Sequence, residues 1–324
     1  MRVFVEVDHA VGFKCLDAAI ALKDRFRACC EIQICAFAQD PLLSGPHAEK
    51  TRELWLQAVL REEVEVLGTT PYVEAGEDET RRNLDLAVRE SKHLGKHLDF
   101  HMDYNLDSSK PVVTNWLLDI LEKEAEPRKT VVLGHCTRLA LFTHDEWAAL
   151  AARISNLKNK KTTNTQISFI GLPTSDLFIQ GRPPPGSESS DRPRGTLQIP
   201  ALIQRHGLNG AIAVNNVGNA FTPHGCCDPL ALASWCVGVY QAAAPKDLEC
   251  LFECVSSGAR SAVGFPAGGV RKGESADLVV YGLDVRDGDE VAMSRRRPRC
   301  GLRDLVGDPP GEREVVFQGA VVKI

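Results

Sequence analysis

Seven short apolar runs, rich in β-branched residues, recur along this chain with longer amphipathic stretches between them. They are "RVFVEV" (2–7), "EIQICAF" (31–37), "VEVLGTT" (64–70), "HLDFHMD" (97–103), "TVVLGHC" (130–136), "QISFIGL" (166–172) and "GAIAVNNV" (210–217). Helical patterns such as "GFKCLDAAIALKDRFRACC" and "ETRRNLDLAVRESKHLGK" fill the spaces between runs. A strand, a helix of this size and a further strand make a crossover unit, and crossovers of one hand build a parallel sheet. Seven units at this spacing predict an α/β fold, a TIM-type (β/α)8 barrel more than an open doubly wound sheet. The count is one strand short of the eight that close such a barrel.

Polar residues gather at the C-terminal ends of these runs: Glu6, Gln39, His101, Asp103, His135, Asn215 and Asn216. In a barrel those ends share the face that carries active sites. Polar residues also mark strand ends before ordinary loops, but their number here favours a site.

Composition removes several classes of function. A net charge of -5 and a single local basic cluster, "SRRRPR" (294–299), give no nucleic-acid footprint. No run approaches a membrane span, and "MRVFVEVDHA" enters a strand directly without a signal-peptide core. The 11 cysteines are odd in number and sit in apolar segments, which suits reduced thiols and a cytoplasmic location. The adjacent pairs Cys29-Cys30 and Cys226-Cys227 lack zinc-ribbon spacing.

Residues 183–194, "PPPGSESSDRPR", read as a loop. The pattern changes after about residue 265: "KGESADLVVYGLD" and "REVVFQGAVVKI" are short strand-like runs with arginine-rich sequence between them. The expected division is a barrel over 1–265 and a small β domain, a β-sandwich remnant, over 266–324.

Several motifs, in order, resemble the cytosine deaminase branch of the amidohydrolase superfamily, metal-dependent barrels that hydrolyse C–N bonds. "AFAQD" (36–40) resembles a loop supplying a substrate-binding glutamine, which would be Gln39, with Phe37 beside it. "DFHMD" (99–103) is similar to a strand motif bearing a metal ligand, His101, and "LGHC" (133–136) to the strand that supplies a histidine, His135. "LFIQGR" (177–182), "RG" (194–195) and "GESADLVVY" (273–281) resemble later segments of that family.

The departures from the family pattern are equally specific. The resemblance implies that this chain begins at the family's second strand, without the first strand and its His-x-His ligand pair. Tyr104 stands where the family carries its acid/base glutamate, and Gly218 or Asn219 where a metal-binding aspartate is expected. The implied set is therefore His101 as metal ligand, His135, Tyr104 and Asn219 as the catalytic positions, and Gln39, Phe37 and Asp103 toward substrate.

Each of these residues also has a plain structural reading. His101 and His135 read equally as buried strand-end histidines, Asp103 as a structural carboxylate bonding a neighbouring strand, "NNVGN" as a turn, and His224 as a loop residue.

Hydrolysis of an amidine-like carbon at neutral pH calls for hydroxide, which a divalent ion (zinc or iron) supplies by lowering the pKa of bound water to about 7. A catalytic ion commonly takes three protein ligands plus water. One histidine is too few, and Asp103 and Glu6 are the only further candidates nearby. A proton-shuttling glutamate is worth roughly 10²–10⁴-fold, and a tyrosine with pKa about 10 is a poor replacement for it.

Two functions follow. One is a cytosine deaminase-like amidohydrolase acting on a small cyclic amide or amidine with a divalent metal. The other is a catalytically degenerate barrel, without a metal, that binds a small molecule or regulates a partner. In either case the expected partner is a small molecule rather than nucleic acid or membrane. An incomplete barrel exposes strand edges, and this predicts self-association as a homo-oligomer.

Overall fold

A computed structural model describes residues 1–123, 129–159, 165–181, 193–266, 268–281 and 301–322. All seven apolar runs form strands: β1 (Arg2–Glu6), β2 (Gln33–Ala38), β3 (Val64–Thr69), β4 (His97–Met102), β5 (Val131–His135), β6 (Ile167–Gly171) and β7 (Asn209–Ile212). They lie in the order β1-β2-β3-β4-β5-β6-β7, every neighbouring pair parallel. The seventh run stops being strand at Ile212 and not at 217, because Asn215 turns into the left-handed region at φ 60.

The connections are helical: α1 (Lys14–Arg25), α2 (Ala48–Val59), α3 (Glu77–Leu94), α4 (Val113–Lys123), α5 (His144–Asn159), α6 (Pro173–Ile179) and α7 (Ile199–His206). After β7 come α8 (Pro229–Val239), α9 (Pro245–Glu253) and α10 (Ser257–Ala262). Local chemistry explains their ends. Helix α3 begins with Glu77, Asp78 and Glu79 at the positive end of its dipole and closes with Lys92, His93 and a left-handed Gly95.

The sheet is strongly curled. Arg2 on β1 bonds Asp99 on β4 at 2.6 Å, and Phe4 on β1 lies 5.0 Å from the ring of His101 on β4. Those strands are three positions apart, which in a flat sheet would separate them by about 14 Å. The contacts therefore cross the concave face.

Two hydrophobic clusters result. A large one joins the outer sheet face to the helices, and a small one, Cys35, Phe37 and Val66, lies inside the curl. Glycine makes the interior possible: a Cβ at Gly68 would meet Cys35 Sγ and Phe37 at 2.5 Å, and one at Gly134 would meet the His101 ring at 2.7 Å.

Among the described residues no ladder joins β1 to β7. The segment after α9 covers part of that side. The Ile212 N–H donates to the Cys254 carbonyl at 3.2 Å, and the Arg2 guanidinium donates to the Val263 carbonyl at 3.1 Å. Phe4, although turned inward, stays 44% exposed.

Near the C-terminus, β8 (Leu278–Tyr281), β9 (Arg313–Phe317) and β10 (Ala320–Val321) form a separate antiparallel sheet, as the two late apolar runs predicted. Arg313 ties it to the start of α8 through both oxygens of Asp228, at 2.5 Å each. The "SRRRPR" cluster and nearly all of the 183–194 loop lie outside the described residues.

Candidate functional site

The C-terminal ends of the strands carry the molecule's backbone strain. Of six described non-glycine residues with positive φ, four sit there: Asp103 (φ 50), His135 (φ 65), Cys136 (φ 47) and Asn215 (φ 60). Such conformations cost of order 1 kcal/mol or more each and concentrate where a side chain must be aimed.

His101 ends up 8% exposed, its ring between Phe4 and Phe37 (centroids 5.0 and 4.6 Å) and edge-on to His135 at 4.9 Å. Burial first, and then His135, holds its pKa well below the ordinary histidine value, so the ring is neutral. No described residue hydrogen-bonds either of its nitrogens. Phe37, expected toward substrate, is instead a 4% exposed wall of the interior, packed on His101.

His135, at the end of β5, has its Nδ1 2.7 Å from Asp176 Oδ1. Asp176 lies in α6, is fully buried, and accepts a second hydrogen bond from the Thr196 hydroxyl on Oδ2 at 2.7 Å. The Tyr104 ring lies 4.2 Å from His135, and Tyr72 lies 5.8 Å beyond it. The Tyr104 hydroxyl is buried without a well-formed hydrogen bond, as is Gln180 Oε1, while Gln180 Nε2 donates to the Thr137 hydroxyl at 2.9 Å. Burial, then Asp176 and Tyr72, push the Tyr104 pKa upward against a weaker pull from Gln180. Tyr104 is therefore a protonated phenol. Gln39 is exposed on the rim after β2, with its side chain at Tyr72, whose pKa is raised by burial and eased by that contact.

Two expected site residues are occupied elsewhere. Asp103 caps α4: its carboxylate accepts from the Val113 N–H (2.8 Å), the Thr114 N–H (2.9 Å) and the Thr114 hydroxyl (2.6 Å). Its partner is thus a helix start and not a neighbouring strand. Asn219 closes an exposed turn by accepting from the N–H groups of Phe221 (3.0 Å) and Thr222 (2.9 Å), and no contact joins it to His101 or His135. His224 is a loop residue beside Phe178 and Trp235.

The donors that the described residues bring to this mouth do not fit a divalent metal. Among the described residues no group of three or more His, Cys, Asp or Glu side chains converges to hold one. His101 faces two phenylalanines and Gly134, His135 Nδ1 is committed to Asp176, and Asp103 is committed to α4. Glu6 stands beside Asp8, its pKa raised by burial and by that neighbouring carboxylate.

The sequence reading missed Asp176, Thr196, Tyr72 and Gln180. Only one local signal pointed to Asp176, the polar "TSD" (174–176) one proline after the apolar "QISFIGL". Nothing local pairs it with a histidine 41 residues earlier.

The architecture is that of deaminase and aminohydrolase structures, the fold that the amidohydrolase resemblance implied. The 5-methylcytosine deaminase from Klebsiella pneumoniae superposes with TM-scores of 0.78 (with phosphonocytosine) and 0.79 (with 5-fluorocytosine). Identity is 20%, covering 99% and 100% of this chain and 70% of the deaminase. The N-isopropylammelide isopropylaminohydrolase from Burkholderia multivorans gives 0.75 at 23% identity, over 99% of this chain and 70% of its own. At these identities the likeness shows the fold. No family model matches the sequence, and no curated protein does.

Proposed function

We propose that this chain binds a small cyclic amide or amidine at the C-terminal mouth of its curled sheet, on an amidohydrolase-type scaffold whose described residues assemble no metal-dependent hydrolytic centre. The observation that carries this reading is a contrast in donors. His135, Tyr72 and Gln39 gather at the mouth as hydrogen-bonding groups, with the Tyr104 ring as a flat wall between His135 and Tyr72. His101 has free nitrogens but, among the described residues, no co-ligand. Flat walls with a few placed polar groups suit a planar ring.

A second reading, hydrolysis of a C–N bond, is favoured by the likeness to enzymes described as deaminase and aminohydrolase. In that reading His135 acts on the substrate and metal ligands come from outside the described set. An eighth strand between β1 and β7 would be the natural supplier. A division near residue 265, a cytoplasmic location and homo-oligomers through the β1 edge belong to the same proposal. No helix of the described residues is long and apolar enough to cross a membrane.

The deciding experiment measures metal content of purified protein beside His101→Ala, together with calorimetric titration of 5-fluorocytosine. Binding without stoichiometric metal supports the first reading. About one equivalent of zinc or iron, lost in the variant, overturns it in favour of hydrolysis.

A further inference from the structure

The mouth holds one buried interaction that neither reading above uses. His135 reaches Asp176 through Nδ1 at 2.7 Å, and Asp176 is fully enclosed, with Thr196 donating to its other oxygen at 2.7 Å. A carboxylate only accepts hydrogen bonds, so a histidine nitrogen at this distance carries the proton. A proton on Nδ1 leaves Nε2 of the neutral ring as an acceptor. No described residue bonds that nitrogen. The Tyr104 ring packs on the same imidazole at 4.2 Å and forms a flat wall beside it.

We propose that Asp176, backed by Thr196, is a positioning residue that fixes the tautomer of His135, so that the mouth presents an acceptor (His135 Nε2) and selects ring ligands whose edge carries an N–H. A lactam or amidine edge supplies that donor. A ring with no N–H leaves Nε2 unsatisfied, and a carboxylate sets an acceptor against an acceptor. The inference rests on the small-ring reading for its ligand class, while the role of Asp176 stands on the free protein.

The test has two parts. Ring-nitrogen NMR of histidine-labelled protein, with His135→Gln to assign the signal, reads the tautomer without any ligand. The Nδ1–H form is expected in the wild type and its loss in Asp176→Asn, with Thr196→Val shifted partway. An Nε2–H tautomer in the wild type overturns the proposal, as does an Asp176→Asn protein that keeps both tautomer and affinity. If Asp176→Asn does not fold, the wild-type spectrum and Thr196→Val still decide. Calorimetry then compares 5-fluorocytosine with 1,3-dimethyluracil, which has no N–H. The wild type is expected to prefer the former by about tenfold or more, equivalent to about 1.4 kcal/mol, and Asp176→Asn to lose the preference. Equal binding of the two probes overturns the selectivity. Failure of the wild type to bind either probe overturns the small-ring reading, and leaves the tautomer result to judge Asp176 separately.

Discussion

The two ends of the curled sheet both bury charged or polar side chains, yet they treat them in opposite ways. At the N-terminal end Arg2 spends its guanidinium on three partners: Gln33 (2.8 Å), Asp99 (2.6 Å) and the Val263 carbonyl (3.1 Å). Its side chain is 3% exposed and that of Asp99 1%, so this pair forms a closed plug. At the C-terminal end the Tyr104 hydroxyl and Gln180 Oε1 are buried without well-formed partners, His101 has free nitrogens, and the backbone turns left-handed at Asp103, His135, Cys136 and Asn215. One end is built on an ion pair, with Asp99 Oδ1 left without a partner; the other is built on aromatic rings around His135, with the Tyr104 and Gln180 oxygens left without one. Substitutions at the plug should change stability, and substitutions at the mouth should change binding.

The largest effect belongs to Arg2→Ala. Removing one partner of a buried ion pair strands the other, at about 3–5 kcal/mol, and urea denaturation should register it as a lower midpoint. The double substitution Arg2→Met, Asp99→Leu should recover most of that loss, since an apolar replacement of both partners is often neutral. A double variant no more stable than Arg2→Ala would mean that the pair itself holds the curl together.

Asp103→Ala comes next, because it uncaps α4 and should cost about 1–2 kcal/mol. If its main effect falls on ligand affinity with stability unchanged, Asp103 belongs to the mouth and the cap reading fails. Gln39→Ala should do the reverse: stability within about 0.5 kcal/mol of the parent, and 5-fluorocytosine binding weakened about tenfold, or 1.4 kcal/mol. A Gln39→Ala protein that melts several degrees lower would erase the distinction between the two ends.

The smallest effect is in pH. Burial, with Arg2 and Lys129 adding to it, lowers His97 to about 4, so between pH 4 and its unfolded value of 6.5 the unfolded chain binds more protons and stability drops as pH falls. Burial pushes Asp99 up to about 6 against the pull of Arg2. Between its unfolded value of 3.8 and about 6 the folded protein holds the extra proton, and stability drops as pH rises. The two contributions oppose one another across pH 4 to 6. His97→Gln removes one of them, so its melting temperature should gain less than the parent's on going from pH 4.5 to 6.5. An unchanged difference would show that His97 does not titrate with folding.

The seven strands were legible because a parallel strand covered on its faces leaves a continuous apolar run, which is local information; the two C-terminal runs were legible as short β-branched stretches, although they pair antiparallel and stay half-exposed. His101 and His135 were legible as strand-end residues, and Tyr104 through the resemblance. Asp103 was legible as a position but not in its partner, because only the fold sets α4 against the end of β4. Asn219 was placed by resemblance at a strand end. The strand had already stopped at Ile212, and the residue closes its own turn.

What the sequence by itself determined was the alternation of strand and helix and the presence of polar side chains at the strand ends, since both follow from side-chain periodicity along a few residues. Tertiary structure alone decided which of those side chains meet. The pairings His135–Asp176, Asp176–Thr196, Phe4–His101 and Arg2–Asp99 span between 20 and 97 residues of chain. Phe4–His101 and Arg2–Asp99 exist because the sheet curls and brings β1 and β4 across its concave face, while His135–Asp176 and Asp176–Thr196 depend on how the connections after β5 and β6 fold over the strand ends; no local pattern encodes either.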